Sequence, residues 1–249
     1  MAPKAASQSS PPVVAPTSSK PAAPEEPALP HNWPESLPFL RQPTHSDAIT
    51  PAIHKTLHTP TKLTAQLPKF ALSNLTSPTP AVLILPITAP THPSYGQHGL
   101  FATRTLPPGT FILPYLGHYH LNLPTDTNPD SEYDISLDRE LGISIDAEKA
   151  GNEARFINDY RKIGDRANAE FRDIWVQIAE GKWERWMGVF VVGVGKAGLR
   201  KKGVGRGEEI VLSYGKGFWD ERKKEGGSGT VAAEAESSPE ADTESDDEA

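Results

Sequence analysis

Across residues 81–214 the apolar residues come in short runs, and none sustains a helical period. AVLILPI, LFATRTL, TFILPYLG, YDISL, GISID, ARFIN, EFRDIWVQIA, WMGVFVVG and EEIVLSY are each apolar or alternating, and rich in Ile, Val, Phe and Tyr. PPGT at 107–110 is a turn sequence, with proline early and glycine third. A chain divided in this way makes short strands separated by turns. It offers no long apolar stripe for a helical bundle, so the expected fold is mostly β with little helix.

Composition sets the limits of the folded part. The chain has 249 residues and 25 prolines, which cluster in roughly the first 95 positions, whereas the aromatics concentrate between Tyr95 and Trp219. One globular domain is expected over 76–222, large enough to bury a real core. Residues 1–75 are expected to be low in complexity and largely disordered, because their Pro/Ala/Ser-rich start buries too little surface to offset ordering entropy. Within them SDAITPAIHKTLH allows a short helix near 46–58, starting at Ser46 or Asp47, with Pro51 limiting its interior. Residues 223–249 are read as an acidic disordered tail, either solubilising or able to meet a basic partner.

The formal net charge of −7 belongs to that tail. From 226 onward there are eight acids and no Lys or Arg, which leaves the rest of the chain near neutral. No direct nucleic-acid partner is therefore expected. The sequence has no cysteine, which excludes disulfides and thiolate zinc clusters, and no other residues have metal-site spacing. The N-terminus lacks a continuous apolar stretch of the kind a secretory signal carries, and AVLILPI is too short to span a bilayer. A monomer inside the cell, nuclear or cytoplasmic and without a membrane partner, is expected. The GxGxxG match at 193–198 follows an apolar strand, but LRKKGVGRGEE has no apolar helical face. A basic loop between strands explains it better than a dinucleotide site.

Four segments in order, YGQHGLFATRTLPPGTFILPYLG, ISIDAEKAGNEARFINDYR, Asn168 with AEF after it, and RGEEIVLSYGKGFW, resemble the SET domain. That is the fold of protein-lysine methyltransferases that use S-adenosylmethionine. IDAEKAGNEARFIN and GEEIVLSYGKGFW carry most of the resemblance, while GQHG departs from the usual GxG opening. The resemblance covers about 81–220, without pre-SET or post-SET zinc modules, and is nearest to stand-alone fungal SET proteins.

The resemblance implies several small sheets with a knot-like C-terminal crossing, in which RFIN threads under a neighbouring segment and ends beside the cofactor. It makes Tyr214 the catalytic tyrosine. It assigns His98, Gly99, Leu100, Asn158, Asp159 and Trp219 to S-adenosylmethionine, and Tyr115, Tyr133 and Leu212 to a channel for the substrate lysine. The substrate would be a lysine of a protein or peptide, histones among them. Taken as bare residues, Asn158 could equally be a turn residue satisfying its own backbone, and Tyr214 a strand tyrosine. Arg155 is expected to pair with a carboxylate such as Asp146 or Glu209. Glu208 and Glu209, being adjacent, should face opposite ways.

Departures from the family pattern bear on activity. Asp159-Tyr160 stands where His-Ser is usual, and Leu212 stands where Phe or Tyr is usual. The alternative reading is an inactive SET-fold module that binds a peptide or chromatin protein.

Overall fold

A computed structural model describes residues 28–195 and 203–214. Their strands and single α-helix are, in order, β1 (Thr44–His45), α1 (Pro51–His58), β2 (Lys69–Ala71), β3 (Val82–Pro86), β4 (His98–Ala102), β5 (Phe111–Tyr115), β6 (His118–Leu121), β7 (Asp134–Asp138), β8 (Ile143–Asp146), β9 (Asn158–Asp159), β10 (Ala169–Ala179), β11 (Lys182–Val191) and β12 (Val211–Leu212). They form two four-stranded sheets, ordered β1-β6-β8-β7 and β2-β10-β11-β5, and two two-stranded pairs, β3-β4 and β9-β12. The mostly-β expectation holds, with several small sheets sharing one buried cluster.

The long antiparallel hairpin β10–β11 is the frame. Its strands run in register from Ala169 opposite Val191 to Gln177 opposite Trp183, and the register then shifts before Ala179 opposite Lys182. Gly181 turns the chain between them at φ 67°, a left-handed conformation that glycine adopts without a Cβ clash. Ile174, Trp175, Val176 and Trp186 are fully buried on it. The Trp175 indole donates to the Thr64 carbonyl (2.7 Å) and the Trp186 indole to Glu184 (2.7 Å), so neither N–H is left unpaired.

The N-terminal region corrects the expectation of disorder up to residue 75. From residue 28 onward it is part of the domain. β1 pairs in parallel with β6, and β2 with β10, so each forms an edge strand of a four-stranded sheet. Trp33, Ile49 and Leu57 join the core. The prolines lie outside the strands, where they cost no ladder hydrogen bond, and a few large apolar anchors suffice to hold the segment. The helix is shorter than expected. Thr50 caps it, its hydroxyl accepting from Ile53 N–H, and Pro51 is its first residue. Proline there loses no helical bond and presets φ, so it starts this helix instead of limiting it. Residues 1–27 and 215–249 lie outside the described residues, as does the basic stretch 196–202.

ARFIN also differs from its expected strand. Glu153–Phe156 form a 3-10 turn, and only Asn158–Asp159 pair as β9. Asn152 anchors this turn to β5 and the residue after it, accepting from Leu116 N–H (3.1 Å) and donating to the Pro114 carbonyl (2.9 Å). EEIVLSY likewise contributes only β12. That segment runs beside β4, with Ile210 N–H on the Leu100 carbonyl (2.8 Å), and then lies between two distant stretches. On one side β12 pairs in parallel with β9. On the other, Asn168 accepts from Val211 N–H (2.8 Å) and donates to the Glu209 carbonyl (2.6 Å). This is the knot-like crossing.

Candidate active site

The crossing opens on a cavity of about 480 Å³. Tyr115 from β5, Tyr133 before β7, Phe171 and Met187 from the long hairpin, and Leu212 and Tyr214 from the C-terminal strand and its exit all line it. Four residues expected from sequence, Tyr115, Tyr133, Leu212 and Tyr214, thus share one pocket although they lie up to 99 positions apart. Ile157 lines it as well.

Hydrogen bonds fix these walls. The Tyr214 hydroxyl donates to the Ile157 carbonyl (2.6 Å), and the Tyr115 hydroxyl to the Tyr133 carbonyl (2.6 Å). Phe171 packs edge-on against Tyr115, with ring centroids 5.5 Å apart. Tyr214 is 37% exposed as a whole residue, but its hydroxyl is turned inward. Desolvation of that hydroxyl, followed by the charge of Asp159, raises its pKa above the ordinary phenol value. Burial raises that of Tyr115 as well. Both phenols are therefore neutral hydroxyls at physiological pH.

Arg155 corrects a second expectation. Its guanidinium lies over the Tyr133 ring at 4.1 Å and donates to the Ala147 carbonyl at 3.0 Å. Among the described residues no carboxylate forms an ion pair with it. The aromatic face and the carbonyl take the place expected for Asp146 or Glu209.

A polar cluster gathers around Asn158. Its side-chain amide donates to Glu209 Oε1 (2.8 Å) and, at 3.4 Å, to the His98 carbonyl, while its oxygen accepts from the Ser94 hydroxyl (3.0 Å). His92 Nε2 lies 3.0 Å from the other Glu209 oxygen. Gly99 is required by this packing, since an added Cβ would stand 2.6 Å from Glu209 Oε1. Leu100 adjoins Gly99 on β4, where the resemblance expects its backbone to meet the cofactor. Its side chain is in the core, and its carbonyl is taken by Ile210 N–H. Glu208 is exposed and bonds Gly205 N–H, so the two adjacent glutamates do face opposite ways. Trp219 lies outside the described residues.

Sequence reasoning missed His92, Ser94, Phe171 and Met187, and did not place Glu209. Only Phe171 carried a usable signal. Its two-residue spacing from Asp173 puts both on one strand face, and both line the cavity.

Asp159 is 7% exposed and does not stand as an isolated charge. One oxygen accepts from Arg161 N–H (2.9 Å), and the other from the Arg161 guanidinium (2.8 Å) and from Tyr214 N–H (2.8 Å). Oxygen acceptors are close together here: the Ile157 carbonyl and Tyr214 hydroxyl line the pocket, and the His98 carbonyl and Glu209 carboxylate are bonded to Asn158, next in sequence. That chemistry suits a cationic sulfonium, so the residues present fit S-adenosylmethionine.

The sequence model of the SET domain family matches residues 97–215. The segment it matches runs from β4 through the crossing to the residue after Tyr214, and this chain carries a SET domain there. It is the fold of the lysine methyltransferases of that family, which use S-adenosylmethionine. Solved structures similar to it include the polycomb repressive complex 2 of Chaetomium thermophilum, at 22% identity over 54% of this chain and 15% of that one, with a TM-score of 0.39. Another is that complex in an autoinhibited conformation bound to S-adenosylmethionine, at 20% identity over 58% and 17% of the two chains, with a TM-score of 0.40. The present chain thus matches about a sixth of the length of those neighbours.

Proposed function

We propose that the protein is an S-adenosylmethionine-dependent protein-lysine N-methyltransferase. The observation that carries this reading is the cavity in which Tyr115, Tyr133, Leu212 and Tyr214 converge, with the inward Tyr214 hydroxyl beside the Ile157–Asn158 turn. Asn158, His98 and Gly99 would hold the cofactor, with Trp219 as a further candidate. When bound, the cofactor supplies an electrophilic methyl group on sulfur.

The chain's own residues supply the rest. A free lysine has a pKa near 10.4, and its ammonium has no lone pair with which to attack. Tyr115, Phe171, Met187 and Leu212 form the apolar wall of a passage, which disfavours the ammonium and lowers that pKa. The carboxylates of Glu132, Asp134 and Asp173 on the same cavity lining attract the lysine while it is charged. The passage also holds the lysine stem straight and excludes water. Tyr214, kept neutral by desolvation, offers an oxygen lone pair to orient the amine, while its O–H keeps donating to the Ile157 carbonyl. Leu212 leaves more room than Phe or Tyr would, so the proposed product carries more than one methyl group. The substrate is a lysine of a protein, with histones as first candidates, met in the nucleus or cytoplasm.

The test is transfer of labelled methyl from S-adenosylmethionine to extract proteins, compared between wild type and Tyr214→Phe. Loss of labelling in the variant is expected, and equal labelling from both would defeat the assignment. A second reading, a SET-fold binding module without activity, draws on the fully bonded Asn158 amide. Thermal stabilisation by S-adenosylmethionine with no transfer from wild type would favour it.

A further inference from the structure

The family-typical histidine after Asn158 is replaced by Asp159, and this carboxylate touches the backbone of the residue proposed to do the chemistry. We propose that Asp159 is a positioning residue for methyl transfer: with Arg161 it forms a clamp that holds the Tyr214 main chain and thereby sets the Tyr214 hydroxyl at the inner end of the pocket. This rests on the methyltransferase reading.

Three donors converge on one buried side chain. Asp159 Oδ1 takes Arg161 N–H, and Oδ2 takes the Arg161 guanidinium and Tyr214 N–H, both at 2.8 Å. A carboxylate has four lone-pair sites on two oxygens and accepts all three. An imidazole has at most one acceptor nitrogen, so histidine could not replace it in this arrangement. The bonds to an ionised group are the stronger kind, and the guanidinium offsets the cost of burying the charge.

The same two segments meet twice more. Leu212 pairs with Asp159 in the β9–β12 ladder, Tyr160 N–H donates to the Leu212 carbonyl (2.9 Å), and the Tyr214 hydroxyl reaches back to the Ile157 carbonyl. Tyr214 is thus held at both ends, its amide by Asp159 and its hydroxyl by the residue two positions earlier. β12 is only two residues long and ends at Leu212, so among the described residues Tyr214 lies beyond the strand pairing. The Asp159 carboxylate extends the contact between the two segments to it. Displacing a reacting group by about 1 Å costs on the order of 100-fold in rate, which is the scale on which such a restraint matters.

The experiment uses the full chain, with S-adenosylmethionine varied at constant extract protein. Asp159→Ala is expected to lower apparent kcat by about 100-fold with little change in KM for S-adenosylmethionine. Asp159→Asn keeps an acceptor oxygen for Tyr214 N–H and is expected to recover most of the rate. Asp159→His is expected to behave like the alanine variant. Wild-type kcat in the alanine or histidine variant, or a loss confined to KM, overturns the proposal. Proton–nitrogen spectra of tyrosine-labelled protein give a readout free of activity, with the Tyr214 amide identified by its absence in Tyr214→Phe. The amide should move upfield in Asp159→Ala and stay near its wild-type position in Asp159→Asn. If wild type transfers no methyl, the catalytic reading and the positioning role both fall. An amide unmoved in Asp159→Ala overturns the clamp alone.

Discussion

The β10–β11 hairpin and the β9–β12 crossing are built by opposite means. The hairpin joins neighbours in sequence through strands of 11 and 10 residues, and buries Trp175 and Trp186. The crossing joins residues more than 50 positions apart through two strands of two residues each. So short a ladder cannot hold itself. Side chains reinforce it, with Asn168, Asp159 and Glu209 each adding a bond to a segment distant in sequence. Stability therefore resides mainly in the hairpin, and the candidate chemistry in the crossing.

Trp186→Ala should separate the two most strongly. Removing a fully buried tryptophan is expected to cost about 3–5 kcal/mol, read as a fall in the denaturant midpoint, because it leaves a cavity in the frame. Asn168→Ala tests the other side. It leaves Val211 N–H buried without its partner and should cost about 1–3 kcal/mol. Its effect on methyl transfer should exceed that of Trp186→Ala when both are assayed at temperatures where each remains folded. An Asn168 variant that transfers methyl at the wild-type rate would break the comparison.

Two buried glutamates extend the contrast to pH. Burial alone would raise the pKa of Glu184 on the hairpin, but hydrogen bonds from His45 and Trp186 hold it below the ordinary value. Its contribution is present above the ordinary glutamate pKa and is lost as pH falls through the depressed folded value. Glu153, in the turn leading to the crossing, is raised by burial. One oxygen accepts Thr79 N–H (2.6 Å), and the other has no hydrogen-bond partner. Its ionisation thus costs stability at neutral pH, and that cost disappears as pH falls through the raised folded value. Thermal melts should show Glu184→Gln losing stability near pH 7 and Glu153→Gln gaining it there. Both effects should vanish in strong acid.

The smallest effect on stability is expected from Leu212→Phe, a change at the cavity wall. It should shift the product toward monomethyl-lysine. Mass spectrometry showing only monomethyl product from wild type would remove the reason for that shift.

Much of the frame was legible because its signals are local. Alternation marked β10 and β11, and PPGT marked the turn before β5. Tyr214, Asn158 and the channel tyrosines followed from the resemblance to the SET family. ARFIN misled because its apolar residues suit a strand, whereas Asn152 bonds β5 and the chain curls into a 3-10 turn. The N-terminal segment misled because its composition suggests disorder, although three anchors and two sheet edges suffice to place it.

The sequence by itself determined a mostly-β domain of the SET class and the tyrosine on which its proposed chemistry turns. Tertiary structure alone decided what surrounds that tyrosine. In the sequence, Asp159 stands out only as a departure from the family pattern that bears on activity. Folding brings it against Arg161 and the amide of a residue 55 positions away, where it reads as support for the catalytic group. A hydrogen bond between segments so far apart leaves no trace in local spacing, because the register that creates it is set by a crossing two residues long.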